Sequence, residues 1–140
     1  MPEKTFTLEE AEQLLSQIEP MVKNMMEYRR NAIEIGQQLM RAQEQLRAGE
    51  ASTVKASDLM NMQTELDFFV KIIGEGLDAI EEMGAQPKDL DMGLVDFPSI
   101  VDGKQVLLCW KYGEDSIGFY HDPAEGYAGR KPLPELKKRA

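Results

Sequence analysis

His121, the only histidine of the 140-residue chain, stands in FYHDPAEGYAGRKPL (residues 119–133) among two carboxylates, two tyrosines, two glycines and an arginine. An imidazole with an ordinary pKa near 6.5 can move a proton or ligate a metal. Metal-assisted hydrolysis asks for three protein ligands and an open position. With one histidine, carboxylates must complete the set, and Asp96, Glu114 and Asp122 are the candidates to join His121. Nothing in their spacing brings the four together. Paired histidines, a nucleophile elbow, a P-loop and a dinucleotide fingerprint are all missing. The sequence therefore assigns no catalytic residue, no metal and no cofactor, and it leans away from an enzyme.

The same stretch could hold an anion or another small ligand. Glycine backbones at Gly126 and Gly129 can turn N–H groups inward, and the planar fork of Arg130 grips carboxylates or phosphates. His121, Tyr127, Gly129 and Arg130 are the candidate ligand-binding residues. Charge-assisted hydrogen bonds contribute about 1.5–3 kcal/mol each, enough for useful affinity. A structural role competes, and it is favoured: Arg130 pairing with Asp96 or Glu114 would tie the C-terminal loop to a sheet. Asp122, Pro123 and Glu125 match the cap, first-turn proline and third-position acid of one helical turn ended by Gly126.

Two long helical segments must position whatever this loop does. Thr7 and Glu10 have capping-box spacing. From there Ala11, Leu15, Ile18, Val22 and Met25, then Ala32, Ile35, Leu39, Ala42 and Leu46, recur at steps of three and four. Pro20 predicts a kink near Glu19, or a short helix followed by a long one. Residues 47–57 read as a connection. Ser57 or Asp58 is the expected cap of a second helix carrying Leu59, Met62, Leu66, Phe69, Ile73, Leu77, Ile80 and Met83 up to Gly84. An antiparallel hairpin results, with helices of about 55 and 40 Å at 1.5 Å per residue.

Leu14, Met21 and Met26 on the first helix, and Met60, Phe68 and Ile72 on the second, widen the apolar faces beyond one helix–helix stripe. The expectation is a homodimer in which two hairpins form a four-helix bundle through these residues. A weaker alternative folds the chain's own sheet over the hairpin. Seven of the nine methionines lie in helical segments, where gap-filling in a core is the simpler role than a re-packing binding surface.

After Gly84 the period changes to two. GLVDFPSIV, the Asp102–Gly103 turn, KQVLLCWKY, a Gly113–Asp115 turn and SIGFYHD predict three antiparallel strands, with a short fourth compatible around Ala85 to Lys88. Val106, Leu108, Trp110 and Tyr112 share one face of the central strand, with Trp110 as core; Cys109, on the other face, reads as an inert thiol. The fold class is α+β: a coiled-coil-like helical hairpin over residues 1–84, then a small antiparallel β-meander over 85–140 with a loop and a basic tail.

Residues 1–84 carry sixteen acidic against eight basic residues, and residues 85–140 nine against eight. An acidic surface repels phosphate backbones, so nucleic acid is not an expected partner; the basic residues Arg130, Lys131, Lys137, Lys138 and Arg139 are the only counterweight. No stretch approaches the ~20 apolar residues of a membrane span, the N-terminal residues lack a basic-then-apolar signal pattern, and a single cysteine cannot form an intrachain disulfide. A cytoplasmic location is expected.

FTLEEAEQLL, GLVDFP, LLCWKYGE and FYHDPAEGYAGRKPL, spread over nearly the whole chain, resemble an uncharacterised bacterial family of small proteins classed among domains of unknown function. Tyr120 and Tyr127 stand where many members have Trp and Phe. The resemblance implies a helical N-terminal half and no activity. With the catalytic signals thin and more than half the chain helical, the favoured role is a non-enzymatic interaction or scaffold module acting on a protein partner through the hairpin.

Overall fold

The computed structural model describes residues 4–49 and 54–134. Helix α1 (Leu8–Arg47) starts at the capping box: the Thr7 hydroxyl oxygen accepts from Glu10 N at 3.1 Å, and Glu10 Oε1 accepts from Thr7 N at 2.8 Å. It runs unbroken through Pro20. The separate short first helix offered as one outcome is therefore not formed. Proline in a helix interior costs roughly 3 kcal/mol, and the turns on either side of it place Ile18 and Val22 in the core, which offsets that cost.

Helix α2 (Ala56–Glu82) begins earlier than its apolar pattern suggests. Lys55 is the N-cap, and Asp58, at the third position, accepts from Lys55 N at 3.0 Å. Neither Ser57 nor Asp58 is the cap itself. Of the connection between the helices, residues 50–53 lie outside the described residues, as do the tail residues Lys137, Lys138 and Arg139. Gly84, with φ +97°, follows the last turn in the left-handed conformation that ends helices.

The sheet is a five-stranded antiparallel meander: β1 (Gln86–Asp89), β2 (Leu94–Val101), β3 (Lys104–Lys111), β4 (Phe119–His121) and β5 (Lys131–Pro132), in that spatial order. β1 is the extra strand the pattern allowed. At two residues, β5 is too short to produce a period-two signal. Asp102 (φ +53°) and Gly103 (φ +74°) form the turn between β2 and β3, both in the left-handed region that a two-residue hairpin requires.

Pro98, inside β2, does not weaken the β2–β3 ladder. Its carbonyl accepts from Phe6 N at 2.7 Å, on the side away from β3, and a strand residue aims its N–H and C=O to the same side. The missing N–H would have pointed at the edge that the N-terminal segment covers. Phe6 then packs edge-on against Phe97, ring centres 5.7 Å apart.

The strand register divides the sheet into two faces. Val95, Phe97, Val106, Leu108, Trp110 and Tyr120 meet Ala11, Leu15, Ile18, Val22 and Met25 of α1 and Ile80 of α2 in one core. The sheet thus folds back over its own hairpin, the arrangement held as the weaker alternative. Leu14, Met21 and Met26, assigned to an intermolecular face, pack against this core instead. The extra apolar width of α1 is covered from within the chain along residues 8–26. Arg29 still reaches Asp91 of the β1–β2 connection at 3.2 Å; beyond it the helices extend on the order of 25 Å further as a bare pair. Among the described residues no helix is long and apolar enough to cross a membrane.

Candidate functional site

The sheet's other face carries the polar chemistry. Asp96 on β2 pairs directly with Cys109 on β3, and His121 on β4 pairs with Leu107, which places His121 diagonal to Cys109 on the same face. Residues 122–130 lie against this face. Asp96 and His121 retain 2% and 3% exposure, a burial that ionisable side chains tolerate when paired. They are paired with each other: His121 Nε2 lies 3.0 Å from Asp96 Oδ2.

The second ring nitrogen settles the proton pattern. His121 Nδ1 is 2.9 Å from the Asp122 carbonyl oxygen, an acceptor only, so Nδ1 must carry hydrogen. The Nε2–Oδ2 contact then holds one proton, which makes the pair either imidazolium and carboxylate or two neutral groups. Burial pushes the Asp96 carboxyl above its usual range, against the opposing influences of His121, Cys109 and Lys88. Burial, joined by the charge of Asp96, raises the Cys109 thiol to about 11. Cys109 is therefore a protonated thiol at neutral pH and no nucleophile.

Arg130 closes one end of this face. Its guanidinium is paired with both Glu114 oxygens, Nη1 to Oε1 at 3.5 Å and Nη2 to Oε2. Glu114 Oε1 also accepts from Lys111 N at 2.8 Å. The guanidinium carbon lies 3.7 Å from the Phe119 ring centre and 4.9 Å from that of Tyr127, and Nη1 comes within 3.8 Å of Cys109 Sγ. Of the two internal partners expected for Arg130, the one it meets is Glu114. Asp96 belongs to the histidine.

The glycines do not make an inward-facing nest. Gly126 has φ −107° and Gly129 is not in the positive-φ region, and Gly129 N donates to Gly126 O at 2.9 Å within a 3-10 turn spanning Tyr127–Gly129. The single helical turn is thus at 127–129. Asp122 to Glu125 form a single turn, not a helical one, closed by Glu125 N to Asp122 O at 2.9 Å; Glu125 Oε1 accepts from Asp122 N at 3.4 Å, the return contact expected of the third-position acid. Of the four ligand candidates, His121 is buried in the acid pair, Tyr127 stacks on Arg130, and Arg130 is held by Glu114.

A pocket of about 120 Å³ opens over Asp96, Cys109 and His121, walled by Lys88, Pro123, Glu125 and Tyr127. A larger hollow of about 460 Å³ beside Gly84 is lined by Lys4, Glu81, Glu82 and Lys88 and contains none of the candidate residues. Among the described residues, Asp96, Cys109 and His121 each offer one metal-ligating atom, all within 4.8 Å of one another. Of the four candidate ligands, the structure joins His121 and Asp96, leaves Asp122 in an ion pair with Lys104 at 3.7 Å and gives Glu114 to Arg130. It adds Cys109, which the strand pattern had dismissed. A signal for it existed: a two-residue Asp102–Gly103 turn sets Val101 opposite Lys104, and counting back along both strands puts Asp96 opposite Cys109.

A family model described as "Uncharacterized conserved protein (DUF2203)" matches residues 4–133. No curated protein and no solved structure matches the chain.

Proposed function

The chain belongs to the DUF2203 family of uncharacterized conserved proteins, and for this member we propose a protein-interaction role carried by the bare half of the helical hairpin. One observation carries it: of the 27 residues of α2 only Ile80 is buried. Its apolar seam from Leu59 to Phe69 is only half covered by α1. Beside the seam, Met60, Phe68 and Val70 are 70%, 55% and 59% exposed, and Ile33 and Met40 of α1 are 43% and 70% exposed. Two packed helices cover only a narrow stripe of each other, so a surface of this width fits further helices laid alongside.

The occupant we assign is a second copy of this chain, through charge complementarity. Residues 27–47 of α1 carry four arginines against three glutamates, whereas residues 56–80 of α2 carry five acids against Lys71. A two-fold axis that sets α1 of one hairpin against α2 of the other brings unlike charges together at the rim of a four-helix bundle. Of the six interface residues read from sequence, Met60 and Phe68 are among these exposed side chains and Ile72 is half-buried, which supports a role for the first two. The free, buried Cys109 thiol suits the reducing cytoplasm in which such a module would act.

Light scattering at micromolar concentration tests the assembly. The expected mass is twice the 15.8 kDa of one chain, falling to a single chain in Met60→Glu/Phe68→Glu with helix content unchanged. A monomeric wild type would overturn it.

A further inference from the structure

We propose that Asp96, Cys109 and His121 form a zinc-binding site with an open fourth position facing the pocket above them. The donor set is the first argument. One carboxylate oxygen, one sulfur and one imidazole nitrogen are buried together within 4.8 Å. Sulfur and imidazole select zinc-like ions over magnesium and calcium, which take oxygen. Coordination displaces the Cys109 thiol proton and the proton of the His121–Asp96 contact to solvent; the thiolate, carboxylate and neutral imidazole that remain sum to −2, which a divalent ion neutralises inside a buried site.

Orientation is the second argument, and it is independent of the donor types. The Asp122 carbonyl holds hydrogen on His121 Nδ1 and so aims the Nε2 lone pair of the neutral ring at the cluster. This is the outer-shell contact by which proteins fix a ligating histidine. On the sulfur side, Arg130 Nη1 stands 3.8 Å from Cys109 Sγ while its charge is compensated by Glu114. A coordinated thiolate would receive a hydrogen bond there.

The three ligand atoms also lie within reach of a single ion. Around tetrahedral zinc, with bonds of about 2.0–2.3 Å, ligand atoms stand about 3.3–3.6 Å apart. His121 Nε2 and Asp96 Oδ2, at 3.0 Å, would open slightly, and no pair would close by more than about 1.5 Å. The ligands sit on three neighbouring strands in register, so the scaffold is rigid where the geometry matters. Three protein ligands beneath a pocket of about 120 Å³ leave room for water or a small anionic ligand as the fourth.

The test uses the full chain stripped with chelator and titrated with Co²⁺ and then Zn²⁺. One equivalent of Co²⁺ is expected to bind with a thiolate-to-cobalt charge-transfer band in the near ultraviolet, which Zn²⁺ then displaces. Cys109→Ser should lose the band. Asp96→Asn, which can still donate to His121 Nε2 and so keep the fold, should weaken Zn²⁺ binding by more than the roughly 10–100-fold typical of losing an outer-shell contact. The wild-type spectrum does not depend on any variant folding. Absence of the charge-transfer band in the wild type, or unchanged Zn²⁺ uptake in both Cys109→Ser and His121→Asn, would overturn the site.

Discussion

At the residue scale the polar groups of the sheet differ sharply in how well they are partnered. The Tyr120 hydroxyl is buried with no hydrogen-bond partner among the described residues. Leaving such a group unpaired costs about 1–3 kcal/mol, so Tyr120→Phe is expected to leave stability unchanged or raise it by up to that amount in urea unfolding. A clear loss would mean that the hydroxyl is bonded after all. Asp96 is the opposite case, because removing it strands His121 Nε2. Asp96→Asn keeps a donor in place, whereas Asp96→Ala does not, and the alanine variant should be the less stable of the two by about 1–3 kcal/mol. The partnership behind this difference was half legible: the turn register sets Asp96 beside Cys109, but the sequence holds no count that puts His121 over them. A short strand after an irregular stretch of seven residues, 112–118, can slide in register without changing its composition.

At the element scale two devices can be tested. Thr7→Ala removes the hydroxyl half of the capping box and should cost about 1 kcal/mol. The other half is pH-dependent. Hydrogen bonding to the Thr7 backbone, then to its side chain, holds the Glu10 carboxyl below its ordinary value. Its folded pKa lies below its unfolded one, so its stabilisation is complete above the unfolded value and lost as pH falls through the folded value. A carboxyl titration followed by NMR should find the Glu10 midpoint below that of glutamate in an unfolded peptide; an ordinary midpoint would refute the cap. The glycine turns offer a paired comparison. Gly93 and Gly103 both have positive φ, +73° and +74°, but a Cβ on Gly93 would come within 2.5 Å of Tyr112 Cβ and 3.0 Å of Met26 Sδ, whereas one on Gly103 meets nothing within 4 Å. Both alanine variants should lose the ~1–2 kcal/mol of a left-handed residue, and Gly93→Ala measurably more. Equal losses would show that the Gly93 turn yields without strain.

At the scale of the whole molecule, stability should be uneven along the hairpin. Residues 8–26 of α1 are sandwiched against the sheet, while the far halves of both helices have only each other. Native-state hydrogen exchange in dilute solution should find the amides of 56–76 opening well before those of β2, β3 and the first half of α1. At high concentration the gap should narrow if a second copy covers the hairpin. Uniform protection at all concentrations would contradict both the bare hairpin and its proposed partner. The amino-acid sequence alone determined the two helices, the capping box, the Asp102–Gly103 hairpin and the alternation that puts Trp110 in the core. Each of these is written in residues a few positions apart, because local sterics and period act over one or two turns. Only the tertiary structure decided what covers each apolar face. Leu14, Met21 and Met26 look alike to any pattern whether a second chain or the protein's own sheet lies above them, since periodicity marks a buried face without identifying its cover. The same limit hid the polar cluster: Asp96 and His121 are 25 positions apart, and their contact depends on how β4 pairs with β3 and how the loop after β4 folds back.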